Sequence, residues 1–125
     1  MKALTVAQVL RLQARLLDRF GGAAGVRDLG ALEGALGRPF AEFEGVAAFP
    51  EVHDKAAALF HGLVTCHTFV DGNERVGLAV TLVWLEVNGY RLALGAEQRY
   101  DTTMRVADGT LSTEALAALL RQAID

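Results

Sequence analysis

The chain holds a single cysteine, Cys66, among its 125 residues. One thiol cannot form an internal disulfide, so packing alone must hold the fold, and a reducing cytoplasm is the expected compartment. Long apolar runs are missing too. The longest uncharged apolar stretch, residues 76–85, is interrupted by Gly77 and Thr81 and falls well short of the roughly 20 residues a bilayer-spanning helix needs. Met1-Lys2-Ala3-Leu4-Thr5 has no apolar run behind its lysine, so neither a secretory signal nor a membrane partner is expected. There is no basic stripe. Twelve Lys and Arg are interspersed with fifteen Asp and Glu, for a net charge of −3. Nucleic acid is therefore not an expected partner. No repeat, low-complexity tract or linker breaks the chain.

What is present is apolar content. Hydrophobic residues make up 52% of the chain and mean hydropathy is +0.27. That excludes disorder and suits one domain with one core over residues 1–125.

Helix signals follow one another closely. Thr5 and Gln8 form a capping-box pattern ahead of Val6, Val9, Leu10, Leu16, Leu17 and Phe20, and Gly21-Gly22 stop that helix. Asp28 is placed to cap a second helix from Leu29 to about Gly37, ended by Arg38-Pro39. Residues 40–49 read as a short hairpin or an ordered loop. Pro50 is placed to start a third helix towards Thr65. A fourth runs from about Asn73 to Asn88-Gly89; being apolar almost all round, it is expected to be the central helix. Tyr90 to Leu94 reads as extended. A fifth helix spans Glu97 to Ala107, and Ser112 caps a sixth. The predicted fold is all-α, a compact single-domain bundle of about six helices with a flap or hairpin near residues 40–49.

Chemistry concentrates in His67-Thr68-Phe69-Val70-Asp71-Gly72-Asn73-Glu74-Arg75. The first amides of a helix have no internal partners and attract anions. Gly72 permits a sharp turn and close approach of backbone to a ligand. Asn73 and the amides after it can line a phosphate pocket. Arg75 offers a forked guanidinium suited to phosphate oxygens. Asp71 is the candidate Mg²⁺ ligand, since that ion favours one or two carboxylates plus phosphates and water. Imidazole exchanges protons readily near neutral pH, which makes His67 the candidate general base. Phe69 is expected to point inward and anchor the loop.

These residues resemble the H-x-F-x-[DE]-[GA]-N-[GK]-R motif of the Fic/Doc (Fido) family. The likeness extends to Gly21-Gly22, Gly25-Val26-Arg27-Asp28, Leu32-Glu33-Gly34-Ala35-Leu36 and Arg38-Pro39. It continues in Lys55-Ala56-Ala57 and in Leu85-Glu86-Val87-Asn88-Gly89-Tyr90, so it covers nearly the whole chain. The resemblance implies a Fido fold and the death-on-curing toxin branch of toxin–antitoxin systems. It further implies transfer of phosphate from ATP, with Mg²⁺, to a hydroxyl on a protein such as elongation factor Tu. A Phd-like antitoxin protein would be the partner. Carried over by position, His67 is the base, Asp71 binds Mg²⁺, and Gly72, Asn73, Glu74 and Arg75 form the phosphate and nucleotide site. Residues 40–49 would be the flap that guides the target.

Three positions depart from that pattern. Leu78 stands where larger Fic enzymes have a second arginine, which argues against AMP transfer, the alternative reaction. Glu74 stands where lysine is usual, and Thr65 where a basic residue is common. Glu74 motivates a further alternative, a diverged domain that binds antitoxin or nucleotide without transfer. Away from the motif the readings are structural. His53 and His61 are structural or surface residues, Trp84 is core, Cys66 is a buried inert thiol, and Glu33 is a salt-bridge residue. Thr110 to Glu114 fits only the first part of the inhibitory pattern [ST]-x-x-x-E-[GN] and reads as an ordinary helix start.

Overall fold

Local capping sets most of the boundaries in the computed structural model, which describes residues 1–125. Helix α1, Val6–Phe20, begins with the Thr5–Gln8 box closed in both directions: Gln8 N donates to Thr5 Oγ1 at 3.2 Å and Thr5 N to Gln8 Oε1 at 2.8 Å. Helix α2, Leu29–Gly37, is capped by the Asp28 carboxylate, which accepts from Ala31 N at 3.0 Å. Pro39 tightens its end into a 3-10 turn, Arg38–Phe40.

A hairpin follows, as one of the two readings of residues 40–49 had it. Strands β1, Glu42–Phe43, and β2, Val46–Ala47, pair antiparallel with Phe43 opposite Val46. Glu44 and Gly45 between them both take positive φ, 51° and 79°, the backbone that closes a two-residue hairpin. Phe43 and Val46 are 75% and 69% exposed, so the hairpin carries an apolar pair in solvent.

Helix α3, Val52–Thr65, starts two residues after Pro50 rather than at it. Its cap is Glu51, whose N–H donates to Asp54 Oδ2 at 3.2 Å. Lys55 Nζ binds the Phe49 and Pro50 carbonyls, so the chain at Pro50 is tied to the helix from outside. Helix α4, Asn73–Val87, ends where Asn88 Nδ2 donates to Trp84 O at 2.9 Å and Gly89 takes φ +86°. Helices α5, Ala96–Ala107, and α6, Thr113–Ala123, complete the bundle, the latter capped by Ser112, with Ala115 N to Ser112 Oγ at 3.1 Å. The segment before α5 is extended and bridges Leu92 to Ile124.

The central helix is α3, not α4. It packs against α2, the 3-10 turn, α4, α5 and α6, and Ala56, Ala57, Leu59, Phe60 and Leu63 are all essentially inaccessible. Its alanines let neighbours close in on several sides. Helix α4 buries Val76, Val80, Trp84 and Leu85, but Leu78, Leu82 and Val83 are only partly covered. Apolar content all round thus failed to rank the two helices, because small residues rather than large ones mark the enclosed one. Each large apolar side chain fully buried here contributes about 1.5–3 kcal/mol. Gly77 sets the approach of α4 to α3: a Cβ there would lie 2.7 Å from Val64 Cγ2. No helix is long and apolar enough to cross a membrane.

Candidate active site

The motif occupies the turn from the end of α3 into the start of α4. Cys66 closes α3, its N–H donating to Gly62 O at 3.0 Å. His67 follows with φ +49°, the left-handed conformation in which helices usually place glycine or asparagine. For an L residue that conformation costs about 1–2 kcal/mol. The imidazole is exposed and makes no hydrogen bond to the protein. A strained, unencumbered histidine is the arrangement expected of a functional residue rather than a packing one.

The next residues are pinned to the α1–α2 connection. Thr68 O accepts from Arg27 N at 2.8 Å and Asp28 N at 3.1 Å, Val70 N donates to Gly25 O at 3.2 Å, and Val26 bridges Phe69. Phe69 is 1% exposed and is the anchor that was expected. Buried Gln13 of α1 supports the same strip, its Nε2 donating to Gly25 O at 3.3 Å.

Gly72 is the cap residue of α4, at φ 75° and ψ 23°, and no side chain caps the helix. The N–H groups of Asn73, Glu74 and Arg75 therefore have no acceptor within the protein. Three free donors at the positive end of a 15-residue helix form an anion cradle. Asn73 contributes its backbone N–H to that cradle, while its side chain bonds to the Phe69 backbone through Oδ1 and Nδ2.

Asp71 sits beside the cradle and is not a helix cap. Its Oδ1 accepts from Gly72 N at 2.8 Å and its Oδ2 from Ala23 N at 3.3 Å. The approach requires a bare Gly22, where a Cβ would stand 3.0 Å from Oδ2. Arg75 is not paired with Asp71 or Glu74. The only ion pairs are His53 with Asp54 and Arg91 with Asp125. Its guanidinium lies instead 4.3 Å from the centroid of the Phe20 ring, a contact that orients the cation and leaves its charge available.

Two concavities flank the turn. A small one, about 30 Å³, is lined by Gln13, Leu16, Gly21, Asp71, Gly72 and Arg75 among others. An open groove of about 610 Å³ runs between α4 and α5, with Asp71, Gly72, Glu74, Arg75 and Leu78 on one wall and Arg99, Tyr100 and Met104 on the other. That volume falls in the range of small-molecule sites, about 300–1,000 Å³. Glu74 thus faces the groove. His67 lines neither concavity and stands outside the groove, open to solvent.

No three His, Cys, Asp or Glu side chains gather as a metal cage. The donor set suits a cation that takes one carboxylate, Asp71, and finds its remaining ligands in phosphate and water, as Mg²⁺ does.

Cys66 is exposed, not buried as expected, because it sits at the solvent-side end of α3. Glu33 forms no ion pair. His61 is half-buried on α3, and burial first, then the nearby Arg38 charge, lowers its pKa below 6.5, with Glu114 opposing. Sequence reasoning missed Phe20, Arg99 and Tyr100. Phe20 read as one more apolar position of α1, and α5 carried no motif.

The Fic/DOC family model matches residues 3–85, the span that builds both the turn and its bed. The chain belongs to the Fic/DOC family. Among relatives of this Fic/DOC protein, the Toxin Doc of Mycolicibacterium smegmatis is 40% identical over 103 residues, covering 81% of this chain and 79% of that one. The Protein kinase doc of Escherichia phage P1 is 27% identical over 125 residues, covering 98% of this chain and 95% of that one. The six-helix architecture with its small hairpin is an all-α Fido fold.

Proposed function

We propose that this Fic/DOC chain is the toxin of a cytoplasmic toxin–antitoxin pair and transfers phosphate from ATP to a hydroxyl of a protein. The observation that carries the reading is the uncapped start of α4, with three free amides and an unpaired Arg75 beside a groove of nucleotide size. The relatives named as a toxin and as a protein kinase support it. A toxin of this kind requires an antitoxin partner, of Phd type.

The γ-phosphate and its neighbours lie against the Asn73, Glu74 and Arg75 amides and the Arg75 guanidinium. A hydroxyl oxygen of the target attacks the γ-phosphorus, forming the new O–P bond while the bond to the β–γ bridging oxygen breaks and ADP leaves. His67 takes the hydroxyl proton on an imidazole nitrogen. Its place outside the groove suits a protein target: nucleotide fills the concavity, and the macromolecular hydroxyl arrives from solvent. Asp71 would hold Mg²⁺, which when bound offsets phosphate charge. Catalysis here is positioning plus charge stabilisation. Elongation factor Tu is the first target to test.

Incubation with γ-labelled ATP and candidate translation factors tests this. Label on the target that disappears with His67→Ala supports the reading. Absence of transfer from wild type, or transfer indifferent to His67→Ala, refutes it. The mass of the adduct separates phosphate from AMP.

A second reading, binding without transfer, is favoured by Glu74 on the groove wall. A carboxylate about 4 Å from a phosphate charge is opposed by about 4 kcal/mol at an effective dielectric near 20. Toxicity on expression that is lost with His67→Ala excludes it.

A further inference from the structure

We infer that Arg99, on α5, is a phosphate-binding residue of the groove and supplies the cation that position 74 withholds. The inference rests on the nucleotide reading above. Its starting point is the charge of the groove wall. Asp71 and Glu74 contribute two carboxylates, Arg75 and Arg99 two guanidiniums, and no other charged side chain lines it. Without Arg99 the wall is net negative at the place where a polyphosphate must lie. With it, the carboxylates are balanced and the α4 amides decide the sign.

Arg99 is also free to act. It forms no ion pair with Glu74 or with any other carboxylate. One end of its guanidinium is tethered, Nη2 donating to Leu92 O at 3.2 Å, and Nε is buried without a partner. Arg99 lines the groove, the tether restricts its head, and the absence of an ion pair leaves its charge uncompensated. A guanidinium held in place but not neutralised binds an oxyanion with little loss of side-chain freedom. Helix α5 itself is set firmly, with Arg99 N donating to Gly95 O at 2.9 Å and Arg99 O accepting from Thr103 Oγ1 at 2.7 Å. The cation therefore arrives from the opposite wall to Arg75, and the two grip a bound chain of phosphates from both sides.

Titration calorimetry with Mg-ATP and with adenosine on wild type, Arg99→Gln, Arg99→Lys, Glu74→Lys and the double variant Arg99→Gln/Glu74→Lys tests this. Arg99→Gln should weaken ATP by roughly tenfold or more, as loss of a charge-assisted hydrogen bond does, and leave adenosine unchanged. Arg99→Lys should retain most of the affinity. Glu74→Lys should restore ATP binding in the Arg99→Gln background. ATP binding that ignores Arg99→Gln overturns the inference alone. So does equal loss of ATP and adenosine with a lowered Tm, which marks a structural role. If neither wild type nor Glu74→Lys binds ATP, the nucleotide reading fails and takes this inference with it.

Discussion

The side-chain amide of Asn73 closes a ring on the backbone of Phe69, donating from Nδ2 to the carbonyl at 3.0 Å and accepting at Oδ1 from the N–H at 2.9 Å. The first residue of α4 thereby fixes the loop that presents His67. Asn73→Ala removes both bonds and Asn73→Asp replaces the donor with an acceptor facing a carbonyl. Each should cost about 1–3 kcal/mol, the penalty for stranding polar groups that are mostly buried. Urea denaturation checks this, and Asp should not rescue Asn despite its equal size.

His67 takes a conformation that suits glycine. His67→Gly should therefore be more stable than His67→Ala by about 1 kcal/mol, since only glycine escapes the left-handed strain. Both variants should lose transfer activity. Thermal denaturation of the pair, beside the transfer assay, separates the two effects. Equal Tm values would show that the turn relaxes without cost.

The seam between α3 and α4 leaves no room for a methyl group at Gly77. Gly77→Ala should cost about 1–3 kcal/mol through overpacking against Val64. It should also move α4 relative to His67, so the loss of activity should exceed what the fraction unfolded explains.

His61 supplies a pH dependence. Burial and Arg38 lower its pKa in the folded state below 6.5, so the unfolded chain binds the proton first as pH falls. Its contribution to stability is fully present above pH 6.5 and is lost as pH falls from there through the lowered folded-state value. Urea midpoints between neutral and mildly acidic pH should fall, and His61→Gln should flatten that portion of the curve.

What was legible in the sequence was local. Thr5 with Gln8, Asp28, Ser112 and Asn88-Gly89 satisfy backbone groups within a few residues, so the helix boundaries follow from neighbours alone. The site was half legible. Asp71, Gly72, Glu74 and Arg75 do line one groove, because they follow one another closely through the cap and first turn of α4. The other half came from tertiary contacts. The bonds from the Asn73 side chain to the Phe69 backbone are visible only once the loop folds back on it. Phe20 and Arg99 come from distant helices and carry no local signature. The centrality of α3 likewise depended on which helix the rest closes around, and runs of alanine do not announce that.

The central claim is that a phosphate is held by the amides at the start of α4. Amide resonances of Asn73, Glu74 and Arg75, followed by NMR during titration with Mg-ATP, test it most directly. The expected result is a saturable shift centred on those three signals that weakens with Arg75→Ala. Saturable ATP binding that leaves them unmoved, or no binding at any concentration, would contradict it.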